Sequence, residues 1–321
     1  MKVLVIKTSS LGDIIHGLRV VTSLREQVPG MEVTWIAQEP FAPLVQICAA
    51  VDRTIIFRRR NLLRGMTAVL RDLRPLTFDA VIDLQGRFLT GMMAARTRAP
   101  RRIGRTDCRE CSGMFYNERV PLPPAGRHSH ALDILLEFCG AFGAKIELRG
   151  PPVFRGSESD ASGLPGLPRD ARPVVMFPDS RRAEKCWGGF AELTTELLRA
   201  NPSCTVAWAG ARALPFPDGP EFSGRFFNLG GRSKLTDLPA LMHQASWVIS
   251  NDSGPLHLAA ALGVKVLGVF GPSDVTLYGP YPPGSPGNLV VCAPRGNLRL
   301  LAPKEVLYLL KKTDPAVFCA P

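Results

Sequence analysis

The chain is short of acid. Its 321 residues carry 28 Asp and Glu against 39 Lys and Arg, a formal net charge of +11. It has no apolar run near the ~20 residues that a membrane-spanning helix needs, so no transmembrane segment is expected. The first residues enter a strand pattern directly, which argues against a secretory signal. Cysteine pairing is also lacking. The eight cysteines stand at 48, 108, 111, 139, 186, 204, 292 and 319, with one lone Cys108-x-x-Cys111 and no His at ligand spacing. They read as free cytosolic thiols rather than as a zinc or redox centre.

The remaining composition, 45% apolar and 21% charged, is ordinary for a soluble globular protein, and the length suits two domains. The positive charge is uneven. Residues 1–150 hold 22 Lys and Arg against 14 acids, a balance of +8, and residues 151–321 hold 17 against 14, a balance of +3. Within 53–105 there are 13 basic and 3 acidic residues, dominated by Arg58, Arg59, Arg60, Arg64, Arg96, Arg98, Arg101, Arg102 and Arg105. Guanidinium forks match phosphates and carboxylates. The cluster therefore predicts an anionic partner: a phosphorylated glycolipid, a membrane surface or nucleic acid. Taken singly, each arginine reads as part of a solvated face.

Strands and helices alternate. The apolar run at 3–7 reads as a strand of a parallel sheet buried on both faces, and 33–37, 53–57 and 80–84 read as further strands, with helical spacing at 14–27, 61–73, 88–98 and 130–143. Residues 155–173 are rich in Gly, Ser, Pro and charge and read as a linker. The pattern then restarts, with strands at 174–177, 205–209, 247–250 and 266–270 and helices at 188–200, 236–245, 255–262 and 303–312. The predicted class is α/β, two doubly wound Rossmann-like domains facing across a cleft, with ligands beyond the carboxyl ends of the strands. The boundaries are 1–155, a linker at 156–173, and 174–321, the last helix being free to pack back on the first domain.

Three turns carry candidate chemistry. In Thr8-Ser9-Ser10-Leu11-Gly12-Asp13, Gly12 allows a sharp turn and the small hydroxyl residues leave room for a ligand. Asp13 serves equally as a first-turn cap or as a general base for an attacking hydroxyl. His16 reads as structural, or as a second base or acceptor contact. In Asn251-Asp252-Ser253-Gly254-Pro255, a capped, Pro-primed helix start offers free amides to a phosphate, with His257 in reach. After the strand at 174–177, Ser180, Arg181 and Lys185 can meet the charge of a diphosphate leaving group, with Trp187 in the core.

The chain resembles the lipopolysaccharide core heptosyltransferases, glycosyltransferase family 9, which have the GT-B fold. The likeness spans the chain and rests on ordered segments: Leu11-Gly12-Asp13, Val81-Ile82-Asp83-Leu84-Gln85-Gly86, and Ala99-Pro100-Arg101-Arg102-Ile103-Gly104. It continues with Arg181 four residues before Lys185 and Trp187, then residues 250–261, then Phe270-Gly271-Pro272-Ser273-Asp274. The resemblance implies an inverting transfer of L-glycero-D-manno-heptose from ADP-heptose to the Kdo or heptose of the inner core. It implies Asp13 as the base, and Lys185, Asp252, Ser253, Gly254 and His257 at the donor, joined by Ser180, Arg181 and Pro255. Ser9, Ser10, Gly12, His16, Arg58, Arg59, Arg60, Arg64, Gln85, Arg101 and Arg105 are the expected acceptor contacts. No cofactor or metal is implied, because backbone amides and basic side chains hold the diphosphate. The expected partners are the nucleotide sugar and an anionic lipopolysaccharide core, not nucleic acid. The expected protein is a cytoplasmic monomer, peripheral to the inner membrane. Asp179 stands where the family usually has glycine, and Trp187-Gly188 replaces Trp-Pro, so a different donor loop is expected. The alternatives are a family 9 transferase with another nucleotide sugar or acceptor, a non-catalytic basic protein that binds an anionic polymer or membrane, and, less well supported, a nucleotide-sugar epimerase.

Overall fold

A computed structural model describes residues 1–156, 167–168, 170–216 and 219–317. Most of the expected linker, 157–166 and 169, lies outside the described residues. The chain divides into two compact units, Met1–Arg155 and Gly156–Pro321.

The first unit runs β1 (Lys2–Ile6), α1 (Leu11–Gln27), β2 (Glu32–Gln38), α2 (Ala42–Ile47), β3 (Arg53–Phe57), α3 (Leu62–Leu73), β4 (Ala80–Asp83), α4 (Phe88–Arg96), β5 (Arg101–Arg105), β6 (Glu118–Val120) and α5 (Ala131–Gly140). All six strands are parallel, in the order β3-β2-β1-β4-β5-β6. The central strands are buried on both faces because helices cover both, which is why Val3 to Ile6 and Ala80 to Asp83 have no polar alternation. Ile6 at the end of β1 is in register with Ile36 on one side and Asp83 on the other. The last residues of the unit return to its core: Ala49 N–H donates to Val153 O at 2.8 Å, and Arg155 N–H to Ile47 O at 2.7 Å.

The second unit runs β7 (Val174–Phe177), α6 (Phe190–Ala200), β8 (Val206–Trp208), β9 (Phe226–Asn228), α7 (Leu238–Gln244), β10 (Trp247–Asn251), α8 (Gly254–Ala261), β11 (Val266–Phe270), α9 (Val275–Tyr278), β12 (Asn288–Cys292) and α10 (Pro303–Thr313). Its parallel sheet has the order β12-β11-β10-β7-β8-β9. The helix α10 packs on α6, and its Val306 and Leu310 join the second unit's core beside Trp187 and Trp247. The apolar stripe of α10 is what this core buries.

Both sheets have one topology. In each, the first and fourth strands of the unit lie side by side at the centre, β1 with β4 and β7 with β10, and the winding reverses between them. Loops leaving the carboxyl ends of such a pair diverge and open a crevice, the position where doubly wound sheets hold ligands.

Candidate functional site

At the first crevice, residues 7–10 cross the carboxyl end of β1 before α1 begins. Lys7 is 5% exposed. Its ammonium donates to Leu84 O at 3.2 Å and lies 3.4 Å from Asp13 Oδ1. Asp13 Oδ2 accepts from Ser10 N–H at 2.9 Å and from Ser10 Oγ at 2.7 Å. Burial works to push the Asp13 carboxyl up, but the Lys7 charge and the Ser10 hydrogen bonds outweigh it and hold the group below the usual carboxylate value. The Asp13 side chain is nevertheless 43% exposed. Asp13 thus completes the capping box of α1 and keeps an open carboxylate edge.

The neighbouring strand holds this loop in place. Gln85 Oε1 accepts from Thr8 N–H at 3.1 Å and Ser9 N–H at 3.2 Å. Beneath it, fully buried Asp83 accepts from the amides of Gln85 and Gly86 at 2.9 and 3.0 Å and from the Tyr116 hydroxyl at 2.6 Å. Burial raises the Asp83 pKa, and these hydrogen bonds oppose the rise. Tyr116 reaches Asp83 by lying flat over Gly104, where any Cβ would stand 2.1 Å from its ring.

The expected acceptor residues divide. Ser9, Ser10, Gly12 and Gln85 lie at the crevice. His16 is buried, edge-on to His130 with ring centroids 5.7 Å apart. Arg58, Arg59, Arg60 and Arg64 are exposed beyond the carboxyl end of β3, on the same sheet edge as Asp13. Arg101 does not join them. It opens β5 in register with Ala80, at the amino edge, where it binds both oxygens of Glu118 at 2.7 Å and donates to Ala141 O at 2.6 Å. β5 is five residues long, so Arg101 at its start and Arg105 at its end lie at opposite edges of the sheet. Arg105 reaches the carboxyl edge but is held by both oxygens of Asp107, at 2.8 and 2.6 Å.

At the second crevice, β10 ends in Asn251, whose side chain ties the two loops together. Its Oδ1 accepts from Trp187 N–H at 3.0 Å, and its Nδ2 donates to Pro178 O at 2.9 Å. This brings Lys185 onto Asp252: Nζ lies 2.5 Å from Oδ2, and His257 Nε2 lies 4.0 Å from Oδ1. Ser253 occupies the N-cap position of α8 without a side-chain capping bond, and its Oγ stands 3.1 Å from Ser250 Oγ. Gly254 and Pro255 form the first turn of α8, half-buried, and Ser180 flanks the crevice. Arg181 is exposed. Trp187 is buried edge-on to Phe190, and its indole donates to Leu301 O at 3.0 Å. Asp179 is gripped by Arg212 from the loop after β8, at 2.5 and 3.0 Å. Asp179 therefore carries its own counter-ion. This crevice can take a diphosphate on Lys185, His257 and the amides of α8.

Lys7 and Arg212 were not among the residues expected from the sequence, and Asn251 was named only as part of its turn, without its role of tying the two loops together. Lys7 and Asn251 had a legible signal, a polar residue closing an otherwise apolar strand. Arg212 had none, because its partner is 33 residues away. Among the described residues no group of three or more His, Cys, Asp or Glu is placed to hold a metal, and the described cysteines are free thiols.

The family model of glycosyltransferase family 9 (heptosyltransferase) matches residues 66–292. Lipopolysaccharide heptosyltransferase 1 of Escherichia coli K12 is 29% identical over 331 aligned residues, which cover 97% of this chain and 99% of that protein. The structure of E. coli heptosyltransferase WaaC with ADP superposes with a TM-score of 0.79 at 25% identity, covering 98% of this chain and all of the other. The same enzyme with ADP-2-deoxy-2-fluoro heptose gives 0.76 over 97% and 99% of the two chains. The expected fold class, two doubly wound Rossmann-like units of the GT-B type, is the one observed. The chain belongs to glycosyltransferase family 9, the heptosyltransferases.

Proposed function

We propose that this glycosyltransferase moves L-glycero-D-manno-heptose from ADP-heptose to the Kdo or heptose of the lipopolysaccharide inner core. The observation that carries the reading is Asp13, ionised and open-edged at the centre of the first sheet. The names of the relatives, which are lipopolysaccharide heptosyltransferases, support the sugar and the acceptor class.

Asp13 takes the proton of the acceptor hydroxyl as its oxygen attacks the anomeric carbon. The bond from that carbon to the diphosphate oxygen breaks, ADP departs with the electron pair, and the configuration inverts. Lys185, His257 and the amide end of α8 meet the charge that develops on the diphosphate, with Ser180 and Arg181 beside them. In this reading protein cations, not a metal ion, neutralise the leaving group. The exposed Arg58, Arg59, Arg60 and Arg64 attract the anionic acceptor. The protein acts as a monomer, peripheral to the cytoplasmic face of the inner membrane.

The test is ADP-heptose turnover on a Kdo-containing lipid A acceptor. Asp13→Asn should lower kcat by roughly 10²–10⁴-fold with ADP binding retained. Wild-type turnover in that variant removes Asp13 from the mechanism. ADP binding without turnover in the native protein points instead to another acceptor or sugar. Failure to bind any nucleotide supports a non-catalytic anion-binding protein.

A further inference from the structure

The loop after β3 and the first turn of α3 display one exposed corner of the first unit. Leu63 is 83% exposed and Leu62 48%. These two leucines are not the core face of α3, which is formed by Met66, Val69 and Leu73, all buried. Around them stand Arg58, Arg59, Arg60 and Arg64, all exposed. Arg59, Arg60 and Arg64 have no acidic partner among the described residues, and Arg58 shares an exposed pair with Glu39 at 2.8 Å.

The corner is built, not frayed. Asn61 caps α3 by accepting from Arg64 N–H at 3.1 Å. Gly65 lets the helix settle on the loop, since a Cβ there would stand 2.1 Å from the Arg58 carbonyl oxygen. Leucines and arginines are therefore held together as one surface. Two leucines are too few for the apolar centre of a stable protein interface. A short apolar anchor ringed by basic side chains is instead the pairing that gives interfacial binding to anionic bilayers, where neither signal alone suffices.

We infer that this corner docks on an anionic lipid bilayer, with Leu62 and Leu63 entering the headgroup–acyl boundary and the arginines on lipid phosphates. It lies on the same sheet edge as Asp13, two strands away, or about 10 Å at the usual strand spacing. A lipid-anchored acceptor would thus arrive beside the carboxylate. The inference gives the proposed membrane contact its location and does not depend on the chemistry at Asp13.

The experiment is co-sedimentation of the full chain with phosphatidylcholine vesicles, with and without phosphatidylglycerol, and free of any lipopolysaccharide precursor. Binding should require phosphatidylglycerol and weaken as NaCl is raised, because salt screens the arginines. The double variant Leu62→Ser/Leu63→Ser should lower the partition coefficient by ~10-fold or more, with melting temperature and ADP binding unchanged. Leu63→Trp should show blue-shifted emission on anionic vesicles against a constant background, since the four native tryptophans are buried. The inference is overturned if anionic vesicles do not bind the native chain, or if the double serine variant binds equally well. It is also overturned if vesicles bind only when they carry the acceptor glycolipid, which would leave the corner with its acceptor role alone. A native dimer that dissociates in the double variant while vesicles go unbound would overturn it in favour of a second copy. Turnover on a detergent-dispersed acceptor reports on the chemistry separately, so failure of either reading is distinguishable.

Discussion

Lys7 sets the state of Asp13. A buried ammonium beside a carboxylate favours the ionised acid, and Asp13 sits below its ordinary value despite burial. The sign follows: the stability this pair lends is fully present above the unfolded carboxylate value near pH 4, and is lost as pH falls through the depressed folded value. Activity that needs the ionised base declines in the same direction. Lys7→Gln leaves burial opposed only by Ser10, so the acid limb of the kcat/KM profile should move to higher pH. An unmoved limb in that variant would separate Lys7 from the base. At the second crevice, Lys185→Ala leaves Asp252 unneutralised at the place where a diphosphate binds. ADP affinity should fall by roughly 10²-fold, and Lys185→Ala/Asp252→Asn should recover part of the loss by removing the repulsion. Calorimetry against ADP decides both.

At the scale of elements, β4 supports the loop after β1. Gln85→Ala removes the acceptor shared by the Thr8 and Ser9 amides and should cost ~1–2 kcal/mol of stability. It should also lower kcat more than it raises the acceptor KM, because what it loosens is the position of Asp13. Tyr116→Phe takes a donor from fully buried Asp83. The folded pKa of Asp83 is already raised by burial, so its favourable contribution belongs to the protonated form and is lost as pH rises. The melting deficit of Tyr116→Phe should therefore be larger at pH 8 than at pH 4. A pH-independent deficit would point to lost ring packing over Gly104 instead.

At the scale of the whole molecule, one six-strand topology occurs twice, and each unit has its own core. Trp187 couples the second core to its crevice, since its ring fills the core while its amide is held by Asn251. Trp187→Ala should cost ~3–5 kcal/mol and weaken ADP binding through a displaced Lys185 loop, while Trp187→Phe should keep most of both. Calorimetric unfolding with and without ADP measures the two effects together.

The strands at the two centres were legible in the sequence because full burial demands continuous apolar runs, as at Val3 to Ile6 and Val174 to Phe177. The candidate turns were legible because Ser10, Gly12, Asp13 and the residues 251–257 follow such runs directly. Less visible were β5, β6, β9 and β12, which are short or partly exposed and carry polar residues that blur their periodicity. Sequence alone therefore determined two α/β units and the loops that carry chemistry, since burial and turn formation are local demands. Tertiary structure decided that β1 meets β4 and β7 meets β10, that Lys7 lies under Asp13, and that Asp179 belongs to Arg212. It also split the arginines, because register sends Arg101 to one edge of the sheet and Arg58 to Arg60 to the other. These outcomes depend on strand order and long-range pairing, which neighbours along the chain do not specify.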